Sequence, residues 1–185
     1  MRIIGGALRS RRLSFPQADG LRPTADRVRE TLFNWLQLSV PAARVLDLFA
    51  GSGALGFEAA SRGASSVVMV ERDRSAVASL RANRQALGTE TVSVVEADAA
   101  AWLRSLKRGT QFDLVFVDPP FDAALQCPIA NALADSGCLA PGALIYIESA
   151  QPLDSALLPQ SWQERKSKKA GAVYAALYSS AANAG

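Results

Sequence analysis

The sequence predicts a doubly wound α/β fold: a seven-stranded, mostly parallel sheet with helices on both faces. Three observations predict it. Short apolar, β-branched runs alternate with stretches of helical periodicity. The first such run ends in a glycine-rich turn, Gly51-x-Gly53-x-x-Gly56, which opens a helix. The chain of 185 residues, 49% hydrophobic and 20% charged, has the length and composition of one globular domain with an appendage.

Arg44–Phe49 is an apolar run stopped by glycines, as a buried parallel strand should be. Ala54–Arg62 reads as a helix with Gly63 as its C-cap. Ser66–Glu71 is a second strand, Ser75–Leu87 a helix ended by Gly88, and Thr91–Glu96 a third strand. Ala99–Leu106 is a short helix and Phe112–Val117 a fourth strand. Helical pattern returns over Ala123–Ala134, and Ala143–Glu148 is a fifth strand. Gln160–Lys166 and Ala172–Tyr178 are strand-like and joined by Lys168-Lys169-Ala170-Gly171, which predicts a closing hairpin with an antiparallel strand. The Ala/Ser/Asn tail at 179–185 is expected to fray.

Residues 1–40 form a small basic extension in front of a domain spanning 41–185. Residues 2–22 mix arginines with Ile, Leu and Phe and read as strand or loop. Pro23-Thr24 then starts a helix over Ala25–Leu38. Its Val28, Leu32, Trp35 and Leu36 make an apolar stripe that should dock on the domain and leave the arginines available.

Charge is unevenly placed. Residues 1–30 carry seven arginines and stand at +4, residues 31–163 at −4, and residues 164–185 at +3. Basic ends around an acidic body suggest a polyanion at one surface. The chain has no histidine. That excludes a Ser-His-Asp triad, a Cys-His dyad, imidazole-ligated zinc and a histidine base. Cys127 and Cys138 are too few for a disulfide framework or a four-thiolate site, so no metal is expected. No apolar run approaches the roughly 20 residues of a membrane span, and no export signal is visible. A cytoplasmic location is expected.

The glycine turn carries the first chemical signal. Glu71 lies twenty residues after Gly51, at the end of the second strand. Glycines that let the backbone approach a ligand, followed by a carboxylate for ribose hydroxyls, indicate a nucleoside-containing cofactor. Asp47, four residues before Gly51, would repel a dinucleotide's pyrophosphate. It suits S-adenosyl-L-methionine, which brings an ammonium and a sulfonium instead.

The second signal follows the fourth strand. Asp118-Pro119-Pro120-Phe121 would sit at the carboxyl edge beside the glycine turn if strands one and four are neighbours. Two prolines stiffen the loop and remove two N–H donors. The Asp118 carboxylate and the Pro119 carbonyl remain as acceptors, which suits a substrate –NH2. Phe121 offers a flat face for a base.

Asp47-x-Phe49-x-Gly51-x-Gly53 with Asp118-Pro119-Pro120-Phe121 resembles the Rossmann-like class I S-adenosylmethionine-dependent methyltransferases that act on exocyclic amines of bases. The segments Arg2-Ile3-Ile4-Gly5-Gly6, Arg9-Ser10-Arg11-Arg12-Leu13, Leu21-Arg22-Pro23-Thr24 and Arg27–Asn34 resemble the bacterial 16S rRNA (guanine(966)-N2)-methyltransferase family. So does Lys168-Lys169-Ala170-Gly171-x-Val173-Tyr174, and the likeness covers nearly the whole chain. The resemblance implies cofactor contacts at Asp47, Phe49, Gly51, Gly53, Glu71 and Asp98, the last at the adenine. It implies catalytic work by Asp118, Pro119, Pro120 and Phe121. The substrate it implies is a guanine of 16S rRNA, methylated on N2 in a 30S subunit or a late assembly particle. Arg2, Arg9, Arg11, Arg12, Arg22, Arg27, Lys168 and Lys169 would hold the RNA, and a monomer is expected.

Methyl transfer needs alignment more than a strong base. The missing histidine is therefore compatible with Asp118 orienting the amine. A nicotinamide oxidoreductase would share the glycine turn but leave Asp118-Pro119-Pro120-Phe121 unexplained. A methyltransferase acting on an amine of another RNA, DNA or protein remains open. A chain lacking residues 1–22 is expected to keep cofactor binding and to fail on ribosomal particles.

Overall fold

The computed structural model describes residues 1–15, 26–120 and 125–181. Arg22 and Phe121 lie outside these residues. The helix α1 (Asp26–Trp35) is followed by β1 (Arg44–Asp47), α2 (Ala54–Ser61), β2 (Ser66–Glu71), α3 (Arg74–Leu87) and β3 (Val92–Glu96). Then come α4 (Ala99–Ser105), β4 (Phe112–Val117), α5 (Gln126–Asp135), β5 (Leu139–Ser149), β6 (Gln163–Ala170) and β7 (Val173–Ser179).

The seven strands form one sheet in the order β3-β2-β1-β4-β5-β7-β6. Strands β1 to β5 run parallel, and β7 is antiparallel to both β5 and β6. The order reverses between β1 and β4, which pair in the register Val45↔Leu114, Leu46↔Val115 and Asp47↔Phe116. Their carboxyl ends therefore open the crevice where ligands bind in such sheets.

Both faces are covered. Val45, Val67, Met69, Leu114, Phe116 and Tyr146 look toward α1, α2 and α3, through Leu32, Phe33, Phe57 and Leu80. Leu46, Val70, Val115, Val117 and Ile147 look toward α4 and α5, through Leu103, Ile129 and Leu133. This double burial explains strands that read as nearly continuous apolar runs rather than alternating ones.

Several boundaries differ from expectation, most by one residue. Strand β1 ends at Asp47, because Leu48 and Phe49 already turn toward the glycine loop. Strand β5 begins at Leu139, ahead of Pro141 and Gly142, through a register shift against β4. Helix α1 ends at Trp35, and turns lead on to Val40. The closing hairpin is tighter than predicted. Ala170 pairs with Val173, so Gly171 and Ala172 alone make the turn, and Lys168 and Lys169 are strand residues. Every residue of β6 from Gln163 to Lys169 is exposed, and its four cations occupy the sheet's edge, where charge discourages further strand pairing.

The N-terminal residues are built into this fold. An antiparallel bridge joins Arg2 to Arg12, and Ile3 and Leu13 are buried with the α1-side core. The buried Glu58 of α2 accepts from the Ile4 and Gly5 N–H groups, both at 2.8 Å, and from Arg62 Nε at 2.8 Å. Ser61 accepts Leu8 N–H at 2.9 Å on Oγ and Ala7 N–H at 2.7 Å on its carbonyl. Gly6 has φ +77°, and a Cβ there would overlap the Ser61 carbonyl, so the Gly5-Gly6 pair is dictated by contact with α2. Not all the arginines are available: Arg29 is fully buried and donates from Nη2 to the Arg2 carbonyl at 3.0 Å and to Asp26. Its charge holds the extension to α1.

Candidate active site

The site is assembled from three strand ends. After β1 the chain turns through Phe49 and Ala50 into the glycine loop. Gly51 and Gly53 have φ of +50° and +79°. A Cβ on Gly53 would lie 2.6 Å from the Phe57 ring and 2.7 Å from Leu80, so this loop is seated directly on α2 and α3. Gly56 lies inside α2, and a Cβ there would stand 2.4 Å from a Met69 atom. That is the close helix–strand approach the third glycine of such a turn permits.

Glu71 closes the loop from the neighbouring strand. Its Oε2 accepts the Gly51 N–H at 2.8 Å. Its Oε1 accepts the N–H groups of Arg72 and Asp73, both at 2.8 Å. One carboxylate thus fixes both the glycine loop and the turn after β2. Asp98 is exposed at the N-terminus of α4, where Oδ1 accepts Ala101 N–H at 2.9 Å.

Asp47 is only 1% exposed and lies beneath the loop. Its Oδ2 accepts Gly56 N–H at 3.0 Å, which ties the end of β1 to α2. Burial first, and then the charge of Asp118, push its carboxyl up to about 7, with Glu71 adding to the shift. Asp118 and Pro119 follow β4 at the same edge, partly buried and buried respectively, and Pro120 is exposed.

The structure therefore brings Asp47, Phe49, Gly51, Gly53 and Glu71 together with Asp118-Pro119-Pro120. The donor set has a definite preference. Three carboxylates at one crevice repel a phosphate group and favour a cationic, hydroxyl-bearing ligand. S-adenosylmethionine fits these residues; a dinucleotide pyrophosphate does not. No group of three or more His, Cys, Asp or Glu residues suited to a metal ion occurs among the described residues.

The basic residues are more scattered. Arg2, Arg9, Arg11, Arg12 and Arg27 are exposed on the N-terminal extension or at the start of α1. Arg11 also donates to the Ala86 carbonyl at 2.7 Å, at the C-terminal end of α3. Lys168 and Lys169 are exposed on β6, at the sheet edge beyond β7.

Two further residues at this edge are not singled out by the motifs. Tyr146 and Glu148 of β5 are both buried, and the Tyr146 hydroxyl donates to Glu148 Oε1 at 2.8 Å. Their signal in the sequence is faint: β5, like β2 and the β4 end, reads as an apolar run finishing on a carboxylate.

Comparison with known proteins agrees with this architecture. Residues 1–179 match the family described as conserved hypothetical protein 95. The chain is 46% identical over 178 residues to Ribosomal RNA small subunit methyltransferase D of Escherichia coli, covering 96% of this chain and 89% of that protein. It is 41% identical over 181 residues to the protein of the same name from Haemophilus influenzae, covering 96% and 93%. The solved structure of yhhF from Escherichia coli superposes with a TM-score of 0.89 at 45% identity, over 99% of each chain. On sequence and on fold, the chain belongs to the conserved hypothetical protein 95 family.

Proposed function

We propose that this chain transfers a methyl group from S-adenosyl-L-methionine to the exocyclic N2 of a guanine in 16S rRNA, guanine 966. One observation carries the reading. The Asp47↔Phe116 pairing sets the glycine loop of β1 beside Asp118-Pro119-Pro120 of β4, so a methyl donor and an amine acceptor would share one crevice. The relatives named as small-subunit rRNA methyltransferases support the substrate class.

S-adenosylmethionine supplies an electrophilic methyl on sulfur and departs as S-adenosylhomocysteine. The chain's own residues do the rest. Glu71 holds the glycine loop and faces the ribose, and Asp98 stands toward the adenine. Phe49 lines the loop, and Asp47 sets a negative charge beneath it. Asp118 and the Pro119 carbonyl accept the two N–H groups of the guanine amine. That turns its lone pair toward the methyl and stabilises charge as the C–N bond forms. The proton lost from nitrogen leaves through Asp118 or directly to water. Pro119 and Pro120 keep the loop rigid, and Phe121 offers a platform for the base once it has left its stack.

The basic residues of the 1–40 extension hold RNA phosphates against the 41–185 methyl-transfer domain: Arg2, Arg9, Arg11, Arg12, Arg22 and Arg27, with Lys168 and Lys169. The substrate is the 30S subunit or a late assembly particle, met in the cytoplasm by a monomer. Among the described residues no helix is long and apolar enough to cross a membrane. The test is transfer of labelled methyl to undermethylated 30S subunits and to naked 16S rRNA, with the modified nucleoside identified. N2-methylguanosine at position 966 is expected. Label on another nucleoside, or on protein, would overturn the reading.

A further inference from the structure

The reaction outlined for this crevice gives Glu148 no part. It is 2% exposed, near the carboxyl end of β5. Its neighbours define where it stands. Val117 of β4 pairs with Ile147 of β5, so the next residues, Asp118 and Glu148, follow side by side on strands about 4.8 Å apart. Both belong to the sheet face covered by α1. Two residues earlier on each strand, Phe116 and Tyr146 meet edge to face there, with centroids 6.3 Å apart.

The pair is held firmly. Burial, then Glu148 and Asp118, keep the Tyr146 hydroxyl well above the usual tyrosine range. It therefore stays protonated and serves as donor to Glu148 Oε1 at 2.8 Å. The Gln126 amide donates to the Glu148 backbone carbonyl at 3.4 Å, which secures the strand end.

An oriented carboxylate next to the amine-binding loop has a chemical consequence. Among the bases with an exocyclic amine, guanine places a ring N–H beside it. Adenine and cytosine place an acceptor lone pair there. Two adjacent carboxylates match the N1–H and N2–H donors of guanine and oppose the lone pair of the others. At 2% exposure Glu148 would be reached only by the leading edge of an inserted base.

We propose that Glu148, oriented by Tyr146, selects guanine by accepting its N1–H while Asp118 accepts from N2. This rests on the guanine reading of the site and names the residue that makes the site specific.

The test compares two reconstituted 30S particles, one with guanine and one with 2-aminopurine at the methylated position. 2-Aminopurine keeps the amine but exchanges N1–H for a lone pair. Wild-type protein is expected to prefer guanine by ~100-fold or more in kcat/KM. In Glu148→Gln an amide N–H can replace the carboxylate lone pair, and the preference should shrink at least tenfold. A merely structural role would lower both rates together. An unchanged ratio with guanine still methylated overturns this proposal alone. Failure of the wild type to methylate guanine overturns the functional reading and this proposal with it. Should Glu148→Gln not fold, as judged by S-adenosylhomocysteine binding, Tyr146→Phe takes its place. Loss of the orienting hydroxyl should lower the ratio severalfold, and an unchanged ratio again overturns the proposal.

Discussion

Glu71 accepts the backbone N–H of Gly51 at 2.8 Å, across twenty residues of sequence and from the neighbouring strand. The same carboxylate takes the N–H groups of Arg72 and Asp73. Replacing it with alanine removes the acceptor proposed for the ribose and leaves three backbone donors without their partner. Glu71→Ala should weaken S-adenosylhomocysteine binding by tenfold or more, a loss of about 1.4 kcal/mol. Calorimetric titration measures it, and unchanged affinity would remove Glu71 from the site.

If Asp47 lies beneath the cofactor as proposed, cofactor binding should depend on pH. Its carboxyl is pushed up to about 7 by burial and by Asp118, so it is neutral in mildly acid solution and ionised above. A sulfonium prefers the ionised form. Affinity for S-adenosylmethionine should therefore rise as pH passes upward through about 7, while that for S-adenosylhomocysteine, with its neutral sulfur, rises less. Stability of the free protein runs the other way. A carboxyl with a raised folded pKa binds its proton more tightly when folded, so stability falls as pH rises from about 4 toward 7. Asp47→Asn should flatten both profiles, as followed by titration and thermal melting.

The N-terminal residues are structural as well as basic, which revises the expectation for a chain lacking residues 1–22. Such a chain loses buried Ile3 and Leu13, each contributing about 1.5–3 kcal/mol. It also strips Glu58 of two backbone donors. Together these approach the whole stability of a small domain, about 5–15 kcal/mol. The truncated chain should melt far lower and lose cofactor binding along with RNA binding. A remainder that is stable and binds S-adenosylhomocysteine normally would refute this.

The exposed arginines separate binding from folding. Arg9→Ala and Arg12→Ala should leave the melting temperature nearly unchanged. For every phosphate that a removed guanidinium had neutralised, the slope of log affinity for the ribosomal particle against log salt should drop by about 0.7–0.9. Slopes equal to wild type would show that these side chains do not meet phosphate.

Asp118→Ala tests the catalytic assignment directly. Methyl transfer should fall by a factor of ~100 or more, as for removal of one preorganised group facing the developing charge. Binding of S-adenosylhomocysteine should be retained. Wild-type turnover would exclude Asp118 from the chemistry.

The alternation of apolar runs and helices, and hence the sheet, was legible in the sequence because parallel strands buried on both faces leave a period-free apolar signature. The glycine loop, Glu71 and Asp118 were legible because each lies at a strand end, where sequence position and spatial position coincide. The boundaries of β5 and the hairpin were not, since register against β4 and β7 decided them.

What the sequence determined by itself was local: which residues turn, which extend, and which carboxylates stand at the ends of strands. Tertiary structure alone decided what those carboxylates meet. The sequence reads Gly5-Gly6 as part of a strand or loop; packing on Glu58 and Ser61 makes it a joint. It reads Arg29 as an available cation; burial makes it a clamp on the Arg2 carbonyl. It reads Glu148 as the last residue of an apolar run; the parallel pairing of β4 with β5 sets it beside Asp118. The reason is physical. Hydrogen bonds and charge interactions act over a few ångströms, and residues tens of positions apart come within that range only when the sheet is assembled.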